Sequence, residues 1–203
     1  MNGSDLLAAL RPVLDALGRL GVRHFVGGSV ASSAHGIARA SLDVDVVADL
    51  QPAHVGALVA ALQDAYYVDE TRVREAVRAR RSFNLIHLST MFKVDVFVSK
   101  GRSFDDSSFS RARLERLSRE PGDPGIPLAS AEDVLLAKLE WFRRGGETSE
   151  RQWEDVLGLL RVGAGTLDTT YLLHWAGAVG VTDLLQRAFA QATEAPPVAE
   201  HES

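Results

Sequence analysis

The 203-residue chain contains no cysteine. Disulfide bonds and thiolate metal ligands are therefore excluded, and any metal must be held by oxygen or imidazole. A surplus of basic charge is also missing. Lys and Arg number 22 against 27 Asp and Glu, giving a net charge of −5. That balance argues against a strongly basic nucleic-acid footprint and leaves room only for a local basic patch. No segment reaches the roughly 18 uninterrupted apolar residues of a membrane-spanning helix, and no basic stretch followed by an apolar core stands at the N-terminus. No membrane partner is expected, and the cytoplasm is the expected location. Neither G-x-x-x-x-G-K-S/T nor G-x-G-x-x-G occurs, which sets aside the P-loop and the dinucleotide fold. The hydrolase elbow G-x-S-x-G is absent as well.

What remains is ordinary globular composition, 46% hydrophobic and 24% charged, enough for one substantial domain or two small ones. Leu6, Leu7, Leu10, Leu14, Leu17 and Leu20 recur at helical spacing. Strands are expected over Val22 to Val26, Val44 to Ala48, Tyr66 to Val68, Ser82 to Leu88 and Phe92 to Val98, with Ser89-Thr90-Met91 turning between the last two. Helices are expected over Ser29 to His35, from Pro52 to Asp64, and over Ser107 to Leu117. The stretch Thr71 to Arg81 is polar and rich in arginine. Glu120-Pro121-Gly122-Asp123-Pro124-Gly125 is the clearest break. Beyond it the period is purely helical, starting at Ser130-Ala131-Glu132-Asp133, which resembles a capping box with Asp in place of Glu. Further helices are expected from about Ser149, over Leu167 to Ala178 and over Thr182 to Ala192, with Trp141 and Trp153 as core anchors. The expected architecture is α/β: a catalytic core in residues 1–120 with a small mixed sheet flanked by helices, a helical C-terminal segment in residues 129–192 packed with it around a cleft, and a disordered polar tail in 193–203.

The informative segment is Phe25-Val26-Gly27-Gly28-Ser29 followed by Asp43-Val44-Asp45. In a strand, residues i and i+2 share a face, so Asp43 and Asp45 present their carboxylates side by side. Hard divalent cations take carboxylate oxygens. Asp95, an acid inside the otherwise apolar Phe92-Lys93-Val94-Asp95-Val96-Phe97-Val98, would complete a three-carboxylate site, and an unpaired charge at such a place is otherwise costly. Gly27 and Gly28 allow a backbone to approach phosphates closely, and their N–H groups, the Ser29 hydroxyl and the helix start could bind the terminal phosphates of a nucleotide. Two Mg²⁺ ions about 3.5–4 Å apart would then activate an attacking hydroxyl and stabilise departing pyrophosphate.

The run F-V-G-G-S-V-A-S-S-A-H-G-I-A-R-A-S-L-D-V-D-V-V, residues 25 to 47, resembles the signature of the DNA polymerase beta nucleotidyltransferase superfamily. Gly-Gly-Ser, a helix and Arg39-x-Ser41-x-Asp43-x-Asp45 are closest to the bacterial minimal nucleotidyltransferases, a branch that includes abortive-infection and toxin–antitoxin enzymes. The gap from Gly-Ser to the first Asp is about one helical turn longer than in the compact members, and Ser41 stands where Thr is frequent. The resemblance implies the nucleotidyltransferase fold and Mg²⁺-dependent transfer of a nucleoside monophosphate from a nucleoside triphosphate such as ATP to an acceptor hydroxyl. It implies that Asp43, Asp45 and Asp95 bind metal, that Gly27, Gly28, Ser29 and Arg39 meet the nucleotide, that Lys138 contacts the triphosphate, and that Asp155 positions Lys138 or the acceptor. The acceptor could be tRNA, a small molecule as in aminoglycoside nucleotidyltransferases, or a protein, and an antitoxin partner would go with the toxin branch. The run Arg72, Arg74, Arg78, Arg80 and Arg81 mildly favours RNA. The acidic charge and helical C-terminal half suit a small molecule. A non-catalytic nucleotide-binding or interaction module is the remaining alternative, against which retention of all three acids argues.

Overall fold

A computed structural model describes residues 3–37, 43–116 and 124–193. These residues form two compact units. The first carries the whole sheet and five helices: α1 (Gly3–Arg19), β1 (His24–Val26), α2 (Gly28–Ala34), β2 (Asp43–Ala48), α3 (Val55–Leu62) after a 3-10 turn at Pro52–His54, β3 (Tyr66–Tyr67), α4 (Glu70–Ala79), β4 (Ser82–His87), β5 (Lys93–Val98), α5 (Ser103–Arg111), β6 (Arg113–Glu115) and β7 (Ile126–Leu128). The second carries α6 (Ala131–Arg144), α7 (Glu150–Val162), α8 (Thr169–Val179) and α9 (Thr182–Thr193), together with residues 35–37. The expected tail, Arg39 and Ser41 lie outside the described residues, as does part of the break at Glu120–Gly125.

The sheet is mixed, as expected, with strand order β3-β4-β5-β2-β1-β7-β6. Its middle strand β2 runs parallel to β5 and antiparallel to β1. Strict alternation divides the two central strands. Val44, Val46, Ala48, Val94, Val96 and Val98 are buried on one face, and α1 lies against β2 and β5 there. Ala9, Leu10, Val13, Leu14 and Leu17 form the buried stripe of α1, the helical counterpart of that period. The opposite face carries Asp43, Asp45, Val47, Lys93, Asp95 and Phe97, all half-buried. One face thus supplies the apolar burial that holds the unit together, at about 25 cal/mol per Å², and leaves the other for polar groups.

Three stretches add to or depart from expectation. The arginine-rich stretch is helix α4. Asp69 caps it by accepting from the Arg72 N–H (3.1 Å), and Val73, Ala76 and Val77 point inward. The helix expected over Ser107 to Leu117 begins earlier and ends sooner, as α5. Its start is set by Asp105, whose carboxylate accepts from the Arg102 N–H (3.2 Å) and the Ser99 hydroxyl (3.1 Å). After Ala112 turns to extended backbone, β6 pairs with β7, and β7 adds parallel to β1 at Val26–Leu128. Both strands are three residues long and β7 contains Pro127, so only partners distant in sequence reveal them. Finally, Trp141 is not a core anchor. It is 47% exposed with Arg144 over its ring, because α6 turns Leu135, Leu139 and Phe142 inward and Trp141 lies off that stripe.

In the helical unit the apolar stripes meet as the sequence suggests, whereas Trp153 is half-buried rather than a fully buried core residue. Its ring lies 5.2 Å from Phe142 with Arg187 stacked 4.1 Å above it, and its indole N–H donates to Gln191 (2.7 Å). The two acids opening α6 are buried and partnered. Glu132 accepts the Asp168 N–H at 2.9 Å, and Asp133 accepts the Tyr171 hydroxyl at 2.7 Å, so Asp133 bonds across to α8.

Candidate active site

Parallel pairing of β2 with β5 decides the arrangement of the acids. Asp45 stands opposite Asp95, and two rungs away Asp43 stands opposite Lys93. Residues paired in register share a sheet face, and neighbouring strands lie about 4.7–4.9 Å apart. Three carboxylates from the two central strands are therefore gathered on the half-exposed face. On the far side of Asp95, β4 contributes Asn84 in antiparallel register.

The glycine turn closes against this cluster. The Gly27 N–H donates to the Asp45 carbonyl (2.9 Å), which fastens the turn to β2. Gly28 follows at φ +56, and a Cβ there would stand 1.6 Å from Asp45 Oδ2. Only glycine leaves room for that carboxylate, and only glycine takes this backbone conformation without strain. Gly27 has open space where its Cβ would be, so the two glycines are not equivalent. The Ser32 hydroxyl donates to the Gly28 carbonyl at 2.9 Å. The buried Ser29 hydroxyl has no hydrogen-bond partner. That hydroxyl lies next to Gly28, which closes against Asp45, where a ligand oxygen or a water could satisfy it.

Lys93 is a member of the cluster that the sequence reading passed over. Its ammonium lies 2.8 Å from Asp95 Oδ2 and 3.8 Å from Asp43 Oδ2. The hydrogen bond it donates to Asp95, reinforced by the charges of Asp95, Asp43 and Asp45, raises its pKa above the ordinary lysine value despite partial burial. The signal was present in the period: Lys93 precedes Asp95 by two residues and so shares its face. Among the described residues no group of three His, Asp or Glu side chains is arranged to hold a metal ion. The donor chemistry fits a hard divalent cation, while the side chains now close around an ammonium.

The remaining expected residues belong to other segments of the chain. Lys138 and Asp155 pair in the helical unit, Nζ to Oδ2 at 2.8 Å, with side chains 13% and 10% exposed. Arg39 is outside the described residues. Of the five arginines in and just after α4, Arg72, Arg78, Arg80 and Arg81 are exposed, and three have local partners. Arg72 pairs with Asp69, Arg74 with Glu70, and Arg80 donates to the Ser99 carbonyl at 2.7 Å.

No protein-family model matches the chain, and no curated protein does so either. Solved structures do. The antibiotic-resistance factor ANT(2″)-Ia superposes with a TM-score of 0.54 over 94% of this chain and 96% of its own, at 11% identity. An antigenic nucleotidyltransferase-like protein from Paracoccidioides brasiliensis superposes at 0.53 over 100% and 99%, at 15% identity. The chain has the nucleotidyltransferase fold. At such identities the likeness concerns the fold alone, and function has to be argued from the site.

Proposed function

We propose that the chain is a metal-dependent nucleotidyltransferase that moves a nucleoside monophosphate from a nucleoside triphosphate to an acceptor hydroxyl. The observation that carries this reading is the register: Asp45 opposite Asp95, with Asp43 on the same face. Three acids on the central strands of a sheet serve no packing purpose, and their desolvation and mutual repulsion are offset when they ligate cations. Asp43 and Asp45 would hold two Mg²⁺ ions, with Asp95 completing the coordination beside the acceptor. Gly28 and Ser29 would take the terminal phosphates, the Ser29 hydroxyl thereby gaining the partner it lacks. When bound, the metal ions would lower the acceptor's pKa and neutralise charge on the departing pyrophosphate. The acceptor oxygen bonds to the α-phosphorus, the bond from that phosphorus to pyrophosphate breaks, and the hydroxyl proton is drawn off toward Asp95.

Among acceptors we place a small molecule first. Three of the five arginines, Arg72, Arg74 and Arg80, are engaged by local acids and a backbone carbonyl, and a net charge of −5 opposes a polyanion such as tRNA. That one protein sharing the fold is an antibiotic-resistance factor is consistent with this order. Lys138, held by Asp155, remains a proposed phosphate contact. The test is incubation with α-labelled triphosphates, Mg²⁺ and parallel panels of hydroxylated antibiotics, RNA and protein. Label should enter the small-molecule fraction. Label only in RNA or protein would overturn the acceptor class, and no label in any fraction would overturn the activity.

A further inference from the structure

Lys93 has no part in the transfer just described, yet its ammonium sits between the proposed metal ligands. Across the β2–β5 pair it stands opposite Asp43, and along β5 it shares a face with Asp95. Its Nζ reaches Asp95 Oδ2 at 2.8 Å and Asp43 Oδ2 at 3.8 Å, so one cation bridges acids on two adjacent strands. Asp43 and Asp95 are two of the three acids that would hold a divalent ion. The lysine side chain is 40% exposed, and a long flexible stem of this kind can swing away without disturbing the core.

Resting on the proposed reading of the carboxylates, we propose that Lys93 is a built-in counter-cation that makes divalent-metal binding depend on nucleotide. Without ligand it neutralises part of the charge of three clustered acids and competes with a metal for Asp95. A metal arriving alone has to displace it and leave its ammonium without an anion. A metal arriving with a triphosphate supplies new anionic oxygens next to the site, to which the displaced ammonium can turn. Metal and nucleotide are then coupled through one side chain, and each strengthens the binding of the other by the same factor. Lys93 is thus a positioning residue for the metal.

The test is calorimetric titration of Mn²⁺ into the full chain, with and without a non-hydrolysable triphosphate analogue, for the parent, Lys93→Met, Lys93→Arg and Asp45→Asn. For Mn²⁺ alone, Lys93→Met should bind about fivefold more tightly than the parent, the scale of one partly exposed ion pair removed. Nucleotide should tighten Mn²⁺ binding to the parent and to Lys93→Arg, and much less to Lys93→Met. Equal Mn²⁺ affinity and equal nucleotide enhancement in the parent and Lys93→Met would overturn the counter-cation while leaving the metal site standing. Mn²⁺ binding unaffected by Asp45→Asn, or absent from every protein even with nucleotide, would overturn the site itself and the proposal with it. Thermal unfolding of metal-free Lys93→Met separates a folding defect from a binding effect, and Lys93→Arg provides a second folded variant.

Discussion

Two lysine–aspartate pairs close at the same 2.8 Å, Lys93–Asp95 on the sheet and Lys138–Asp155 among the helices, in opposite surroundings. The sheet pair is 40% and 20% exposed and has Asp43 and Asp45 for neighbours. The helical pair is 13% and 10% exposed, between α6 and α7, whose inner faces are Leu135, Leu139, Val156 and Leu160. Identical geometry therefore has different consequences. A partly exposed pair contributes little to stability, about 0–1 kcal/mol. A buried pair is a commitment: removing one partner strands a charge. The exposure of the sheet pair suits the proposed exchange for another cation, whereas the helical pair is largely shielded from solvent.

The largest effect should come from the acids on the sheet. Asp45→Ala should abolish label transfer while leaving the fold intact by circular dichroism, and full activity in that variant would break the functional side of the contrast. Next in size, Asp155→Ala should destabilise the chain by about 3–5 kcal/mol, read from denaturant unfolding, because Lys138 stays buried without this carboxylate. The double change Lys138→Met with Asp155→Leu should recover most of that loss. Should Asp155→Ala prove neutral in stability, the helical pair would not be structural.

Gly28→Ala should cost about 1–3 kcal/mol through its positive φ and, by pushing the Asp45 carboxylate aside, should also lower transfer. Gly27→Ala meets open space and should stay within about 0.5 kcal/mol of the parent. Similar unfolding midpoints for the two variants would remove the steric argument for Gly28. Lys93→Met should cost less than about 1 kcal/mol in the metal-free protein, far below Asp155→Ala.

The smallest effect concerns acid stability. Burial alone would push the Asp105 carboxyl up, but the charge and hydrogen bonds of Arg102 and the Ser99 hydroxyl hold it below the ordinary 3.8. A group depressed in the folded state stabilises fully above its unfolded pKa and loses that contribution as pH falls through the folded value. Stability measured down from pH 5 should therefore fall less steeply for Asp105→Asn than for the parent.

Much of this was legible in the sequence, for reasons that vary by residue. The alternation of Val44, Val46 and Ala48 with Asp43 and Asp45 reveals a strand and its polar face, because the period is local. Asp95 was found the same way. Its position opposite Asp45 was not, since register between strands 50 residues apart leaves no local trace. Lys93 was hidden in plain view by attention to acids. The strands β6 and β7 escaped because three-residue segments carry too little periodicity, and Trp141 was misplaced because bulk was weighed above its position on the α6 helix. Lys138 and Asp155 were paired by analogy and do meet, although their meeting says nothing of a nucleotide.

The central claim is that the acids of β2 and β5 carry a metal-dependent nucleotidyl transfer. The most direct measurement counts both products in one reaction, pyrophosphate released and labelled monophosphate bound to the acceptor, for the parent and for Asp45→Asn with and without Mg²⁺. The expected result is equal amounts of the two products from the parent with Mg²⁺, and neither product from the parent without Mg²⁺ or from Asp45→Asn. Transfer that survives in Asp45→Asn, or that proceeds unchanged without a divalent cation, would contradict it.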